Sequence, residues 1–452
     1  MISDREADLV YTGGYIMATF KITPRFLNGS VLVPSSKSMG HRMCICAGLS
    51  GNHCVVDNIA ISKDIEATKR CLAGLGVTVT EVPSLHKGRT AFQFNWNHRF
   101  SLGPVTVDCG ESGSTLRFFI PLGALCNVPF TFKGHGKLVS RPLKPYYDVF
   151  DKQELRYFTA ENGHLPLTVN GRLKPGAYVL PGDVSSQFIS GLLFALPLLE
   201  RDSSLEILPP LESASYIELT LSSLRTFGID VKRMDPLHYV ISGRQTYRAP
   251  SERVQVEGDW SQAAFWLVAG AIGSQNSLFC KGLNRDSLQG DKAILRILRN
   301  MGANITVQGD DFTIAPSRLH GCEIDAADCP DLVPVLSVAA TVAEGTTHII
   351  NAGRLRIKEC DRLAAMHSEL MKLGADIVEE PEGLIIKGNP KGLAGGAVVD
   401  AWNDHRIAMS MAVAALACKK PLTLSGGESV SKSYPEFWND YAAVGGKAEK
   451  LR

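Results

Sequence analysis

The chain has 452 residues, 45% apolar and 21% charged, and its 47 Lys and Arg nearly cancel 46 Asp and Glu, leaving a net charge of +1. Such a balance lacks the basic surplus of a nucleic-acid binder, so any cluster of cations here is a local device. The length calls for two large domains, and the longest apolar runs, such as FISGLLFALPLLE (188–200), fall short of the ~20 residues of a membrane span.

Residues 1–16, MISDREADLVYTGGYI, carry two Asp and one Glu and fit neither a signal peptide nor an Arg-rich transit peptide. MATFKI from Met17 reads as a second candidate start behind an upstream extension. Residues 17–34 hold two strand-like runs around Asn28-Gly29, and the second leads into PSSKSMGHRMCICAGLSG, a helix start. Lys37 and Arg42 stand in its mouth. Backbone N–H groups already make that end positive, so cations suit it only when an anion joins them.

From there a phrase recurs: a helix ending in Leu-x-x-apolar-Gly, then a strand. It stands at 72 (LAGLGVTV), 224 (LRTFGIDV), 298 (LRNMGANI), 370 (LMKLGADI) and 441 (YAAVGGKA). The gap between 72 and 224 spans two periods, and a worn copy, FDKQELRY, starts at 150 with Glu154 in the place of Gly. Six copies at a period of about 74 residues predict a repeated α+β unit. The Gly is a helix C-cap that tolerates positive φ. Strand–turn–strand runs such as ANITVQGDDFTIAP and ADIVEEPEGLIIKG follow it. The sixth copy has no hairpin of its own, and the two runs in 17–34 are expected to supply it. The chain then forms two three-unit domains, 35–257 and 1–34 with 258–452, crossing near residues 34 and 257 around a cleft suited to small molecules.

Further polar clusters mark other helix starts. DCGESGSTLR brings Gly110, Gly113, Ser114 and Arg117; PGDVSSQF brings Ser185, Ser186 and Gln187, more uncharged donors than one N-cap needs. RLRIKECDRLAAMHSEL predicts an amphipathic helix bearing Lys358 and Arg362 four apart, with Glu359 between them and Arg354 and Arg356 ahead. NDHRIAM sets Asn403, Asp404, His405 and Arg406 before an apolar helix, and SRPL and SKSYPEFW add Arg141 and Lys432. Each alone reads as well as a tight turn, a cap or a solvated face. Together Lys37, Arg42, Arg117, Arg141, Lys358, Arg362, Arg406 and Lys432 exceed the needs of one monoanion, so the ligands should carry several phosphate and carboxylate groups. No Asp/Glu/His cluster has metal-ligand spacing, and eleven scattered cysteines without C-x-x-C fit reduced thiols in a cytoplasm.

The motifs PSSKSMGHR, GESGSTLR, SRPL, GDVSSQF, EGDWSQAAF, DCPDLVPVLSVAA, RIKECDRL and NDHRIAM, in this order over residues 34–435, closely resemble the 5-enolpyruvylshikimate-3-phosphate synthase family. The resemblance implies two similar domains, each of three βαβαββ units, with the active site in the cleft between them. It implies transfer of the enolpyruvyl group of phosphoenolpyruvate to the 5-hydroxyl of shikimate 3-phosphate, without metal or cofactor, in a cytoplasmic monomer that binds neither nucleic acid nor membrane. Carried over by position, Lys37, Ser38, Arg42, Ser185, Ser186, Gln187, Ser213, Tyr216, Asp331 and Lys358 are expected at shikimate 3-phosphate. Lys37, Gly113, Arg141, Gln187, Arg362, Arg406 and Lys432 are expected at phosphoenolpyruvate, where the family also takes glyphosate. Asp331 would take the 5-hydroxyl proton, and Glu359 with Lys37 the proton of the methylene carbon. Glu111 and Arg354 stand where some members have Asn, and Phe118 where Pro is common, as in a divergent bacterial branch.

Two alternatives remain. The related UDP-N-acetylglucosamine enolpyruvyl transferases usually carry a Cys where this chain has Gly136, and an Asn where it has Ser38. A non-catalytic anion-binding regulator on the same scaffold would have lost proton-handling groups, yet Lys37, Asp331, Lys358 and Glu359 are all present.

Overall fold

A computed structural model describes residues 18–51 and 53–451; the candidate start at Met17 and the extension before it lie outside the described residues. Six four-stranded sheets share one plan: two parallel strands, then two antiparallel ones. In the second sheet Val105–Asp108 runs parallel to Phe130–Lys133, followed by Leu167–Asn170 and Arg156–Thr159. This is the sixfold α+β repeat expected from the recurring phrase. Strands such as Ser203–Leu208 alternate buried and exposed residues, so each such sheet faces the core on one side and water on the other. Helices fill the inside: Trp260–Gly273 is buried along nearly its whole length. The buried apolar side chains form two clusters, one drawn from residues 43–256 and one from 18–33 with 260–444.

The N-terminal strands depart from expectation. Only Thr19–Thr23 completes the sixth sheet, between Leu422–Ser425 and Lys447–Lys450. Leu27–Leu32 instead pairs in parallel with Ser274–Lys281 in the fourth sheet. The two strands stitch units together rather than form one hairpin. Beyond them the segments 34–36 and 257–259 run side by side. Ser35 and Gly258 form an antiparallel bridge, Ser36 N–H donates to Glu257 O at 2.7 Å, and Asp259 N–H to Pro34 O at 2.8 Å.

Five of the six repeat ends carry the expected glycine, with φ between +74° and +98° at Gly76, Gly228, Gly302, Gly374 and Gly445. The worn copy adopts the same geometry with a side chain: Glu154 has φ +56° and is exposed. A non-glycine residue pays about 1–2 kcal/mol in this region, partly offset because Gly is freer in the unfolded chain. Glu154→Gly should therefore stabilise the protein by about 1 kcal/mol, read from the urea midpoint at unchanged m-value.

Candidate active site

The first turns of six helices open on one cleft between the two halves. They belong to Lys37–Leu49, Gly113–Gly123, Ser186–Ala195, Ala214–Thr226, Arg362–Lys372 and His405–Ala414. Side chains end the helices here: Ser36, Ser112, Ser185, Asp361 and Asp404 each accept from an N–H of the first turn. With the N-terminal dipoles aimed inward, eight Lys and Arg against three acids line the cleft, a strongly anion-attracting space.

On the first half, Lys37 donates from Nζ to Asp64 Oδ2 at 2.9 Å and from its backbone N–H to Asp259 Oδ2 at 2.9 Å. Arg42, 2% exposed, lies over the Phe118 ring and, among the described residues, donates only to neutral oxygens: Thr220 Oγ1, Ser38 O and Tyr216 O. Burial pulls its guanidinium down to about 10. A buried cation satisfied only by neutral groups is suited to receive an anion. Arg117 donates to Gln187 Oε1 at 2.8 Å, and Gln187 Nε2 donates to Ser114 Oγ. Arg141 reaches across to Glu359 Oε1 at 3.3 Å, and its Nε has no hydrogen-bond partner among the described residues.

On the second half, Arg362 grips three carboxylates: Asp404 at 2.8 Å through Nε, Asp331 at 2.9 Å through Nη1 and Glu359 at 2.8 Å through Nη2. Arg406 donates to Asp331 Oδ2 at 2.8 Å. Burial alone would raise the Asp331 and Glu359 carboxyls. Arg406, Lys358 and Arg362 around the first, and Arg141 and Arg362 around the second, outweigh burial and hold both well below the usual carboxylate range. Burial pulls Lys358 down to about 8.

The Tyr216 hydroxyl lies 3.3 Å from Asp331 Oδ2 and 3.1 Å from Asp291 Oδ2. One hydroxyl proton cannot serve both carboxylates at once. Burial and the neighbouring Asp331 charge push Asp291 up to about 7, so of the two it takes a proton more readily. A carboxyl raised in the folded state contributes stability fully present below the unfolded value near 4 and lost as pH rises through 7. Asp291→Asn keeps a neutral partner for Tyr216, so its stability relative to wild type should improve by about 2 kcal/mol between pH 5 and 8. Urea unfolding at both pH values measures it.

Of the residues expected from sequence, Lys37, Ser38, Arg42, Gly113, Arg141, Ser185, Ser186, Gln187, Ser213, Tyr216, Asp331, Lys358, Glu359, Arg362 and Arg406 all line this cleft. Lys432 does not. It donates to Glu111 Oε2 at 2.9 Å and to Asn403 O at 2.7 Å beside a neighbouring depression. The expected helix also starts later: Gly353–Ile357 is a 3-10 turn, and the α-helix begins at Arg362 under an Asp361 cap. Lys358 and Arg362 are thus not an i,i+4 pair; the break turns Lys358 and Glu359 into the cleft. Asp64 and Asp291 were not legible, since each reads as an acid in an ordinary first turn. Arg354 donates to Ser213 Oγ at 2.9 Å and pairs with Glu212 at 3.1 Å, from the opposite half. Among the described residues no group of His, Cys, Asp and Glu could hold a metal ion, and no helix is long and apolar enough to cross a membrane.

Comparison with known proteins agrees with this geometry. The family model of EPSP synthase (3-phosphoshikimate 1-carboxyvinyltransferase) matches residues 22–441. The 3-phosphoshikimate 1-carboxyvinyltransferases of Clostridium novyi and Clostridium kluyveri are 48% and 47% identical, covering 95% and 96% of this chain and 98% and 99% of their own. The solved EPSP synthase of Acinetobacter baumannii superposes with a TM-score of 0.78 at 26% identity, over 96% of this chain and 100% of that one. The enolpyruvyl transferase NikO of Streptomyces tendae shares the fold, with a TM-score of 0.75 at 17% identity over 96% and 99% of the two chains.

Proposed function

The chain belongs to the EPSP synthase (3-phosphoshikimate 1-carboxyvinyltransferase) family, and from that membership and the cleft above we infer how its residues divide the work. The enzyme transfers the enolpyruvyl group of phosphoenolpyruvate to the 5-hydroxyl of shikimate 3-phosphate and releases phosphate, on the shikimate pathway to aromatic amino acids. The observation that carries the assignment is the excess of cations over acids at six helix starts in one cleft.

Ser185, Ser186 and Ser213 bind the 3-phosphate, joined by Arg354, which already reaches Ser213. Ser38 and Arg42 take shikimate hydroxyl and carboxylate groups, with Gln187, Tyr216 and Lys358 around the ring. Lys37, Gly113, Arg141, Gln187, Arg362, Arg406 and Lys432 hold phosphoenolpyruvate. The two domains, 35–257 and 1–34 with 258–452, close on shikimate 3-phosphate, and closure excludes water from the reaction.

In the addition step the 5-oxygen bonds to C2 of phosphoenolpyruvate, its proton passes to Asp331, and the methylene carbon gains a proton. Elimination then removes a proton from that carbon as the bond to phosphate breaks. Asp331 is a weak base while Arg362 and Arg406 grip it. Bound phosphoenolpyruvate draws on the same guanidiniums, so Asp331 gains proton affinity as its substrate arrives. Glu359, between Arg141 and Arg362, gains likewise, and Lys37 beside it carries the ready proton. The cations take up charge on the departing phosphate.

Phosphate release with shikimate 3-phosphate and phosphoenolpyruvate, and none with UDP-N-acetylglucosamine, is the expected result. Release with only the nucleotide sugar, or with neither, overturns it. The same reading makes the enzyme a monomer that binds no nucleic acid, in keeping with its near-zero net charge, and that works in the cytoplasm, in keeping with its free cysteines.

A Cβ at Gly113 would stand 2.5 Å from Arg141 Nη1, so Gly113→Ala must displace that guanidinium, which the phosphoenolpyruvate subsite uses. Glyphosate, slightly longer than the substrate, has less room to yield. The variant should raise the glyphosate inhibition constant more than the phosphoenolpyruvate KM; equal rises would refute the steric argument.

A further inference from the structure

Glu111 sits in the turn ahead of the Gly113–Gly123 helix, and its carboxylate is committed to the other half of the protein. Oε2 accepts from Lys432 Nζ at 2.9 Å and from Asn403 Nδ2 at 3.2 Å, both on the other half. Lys432 is 5% exposed, and its other hydrogen bond goes to the Asn403 carbonyl at 2.7 Å. Room for this carboxylate is made by Gly136, where any Cβ would stand 2.8 Å from Glu111 Oε2. The pair lines an open cavity of about 660 Å³ that shares one wall residue, Asp64, with the catalytic cleft.

We propose that Glu111 sets the affinity for phosphoenolpyruvate by occupying Lys432, the cation which that anion must recruit. The proposal rests on the reading of Lys432 as a phosphoenolpyruvate ligand. An ammonium has three hydrogens and no preferred plane, and here two of them are engaged. An incoming dianion must take the third or displace Glu111, and in either case it meets a carboxylate of its own sign. A neutral amide at 111 would keep a hydrogen bond to Asn403 without the charge. Losing the charge that Lys432 now shares with this carboxylate is enough to move an affinity severalfold. The carboxylate thus acts as a tethered competitor that keeps the clamp closed to weaker anions.

The test compares wild type, Glu111→Gln, Lys432→Met and the double variant in steady-state kinetics with both substrates varied. Glu111→Gln should lower the phosphoenolpyruvate KM by about threefold to tenfold and leave the shikimate 3-phosphate KM unchanged. Lys432→Met should raise the phosphoenolpyruvate KM, and in that background Glu111→Gln should change it no further. A merely structural clasp between the halves would instead move the shikimate 3-phosphate KM and the Tm. An unchanged or raised phosphoenolpyruvate KM in Glu111→Gln, or an equal fall in both backgrounds, overturns the proposal while leaving Lys432 as a ligand. An unaltered KM in Lys432→Met removes Lys432 from the site, and the proposal falls with it.

Discussion

Replacing Glu359 by Gln is expected to slow turnover by about 10²–10⁴-fold while both substrates still bind. Gln keeps the volume and a hydrogen bond to Arg362 but can neither give nor take a proton. It also releases charge on two guanidiniums, since Glu359 lies 2.8 Å from Arg362 and 3.3 Å from Arg141. Phosphoenolpyruvate should therefore bind as well or better, and the whole defect should sit in kcat. Phosphate release gives kcat, and titration calorimetry gives the two affinities. Wild-type turnover would remove Glu359 from the proton transfers, whereas weakened binding of both substrates would make it a structural group.

Arg362→Met should cost about 3–5 kcal/mol of stability and raise the phosphoenolpyruvate KM by about 10²-fold or more. The guanidinium is 1% exposed and holds Asp331, Glu359 and Asp404 together, so its loss leaves three acids facing one another in a buried space. The pH dependence has a definite sign. Asp331 and Glu359 are depressed in the folded wild type, which places their contribution above the unfolded carboxyl range near 4 and removes it as pH falls below that range. In the variant the three acids are left without their guanidinium and their carboxyls rise, so they take up protons between pH 7 and 4 and regain stability there; the gap to wild type should be widest near pH 7 and narrow toward pH 4 in urea unfolding. Arg362→Lys, which cannot fork to three acceptors, should fall between the two. A constant gap from pH 7 to 4 would mean that the three carboxylates do not depend on Arg362.

How much of this could be read from the chain depends on the range of each interaction. The repeat was legible because each unit ends in a local rule, a residue at positive φ after a helix, and Glu154 obeys the geometry even where the residue type is wrong. The cleft's residues were legible where a cap can be recognised locally: Lys37, Arg42, Gly113, Ser186 and Arg406 sit within a few residues of one. What failed was partnership over distance. Nothing near Lys432 marks Glu111, 321 residues away, as its counter-ion, and nothing in the first turn of Lys63–Gly74 marks Asp64 as the mate of Lys37. The strand Leu27–Leu32 looked like half of a hairpin, but Ser274–Lys281 outbid its neighbour for it. The start of the Arg362 helix was misplaced for a local reason: a 3-10 turn and a capped helix in succession mimic one continuous amphipathic pattern.

The placing of Thr19–Thr23 between Leu422–Ser425 and Lys447–Lys450 has a consequence for how the protein is made. On a ribosome this strand emerges early, yet the last strand it pairs with appears about 430 residues later, roughly 20–90 s at ordinary elongation rates. Residues 43–256 can assemble their core in that interval, because all of its members have by then been synthesised. The second core cannot, since Phe20 and Ile22 belong to it and wait for their partner strand Lys447–Lys450. A nascent chain stalled near residue 400 should thus carry one finished half and one exposed apolar strand, the species that chaperones would have to hold.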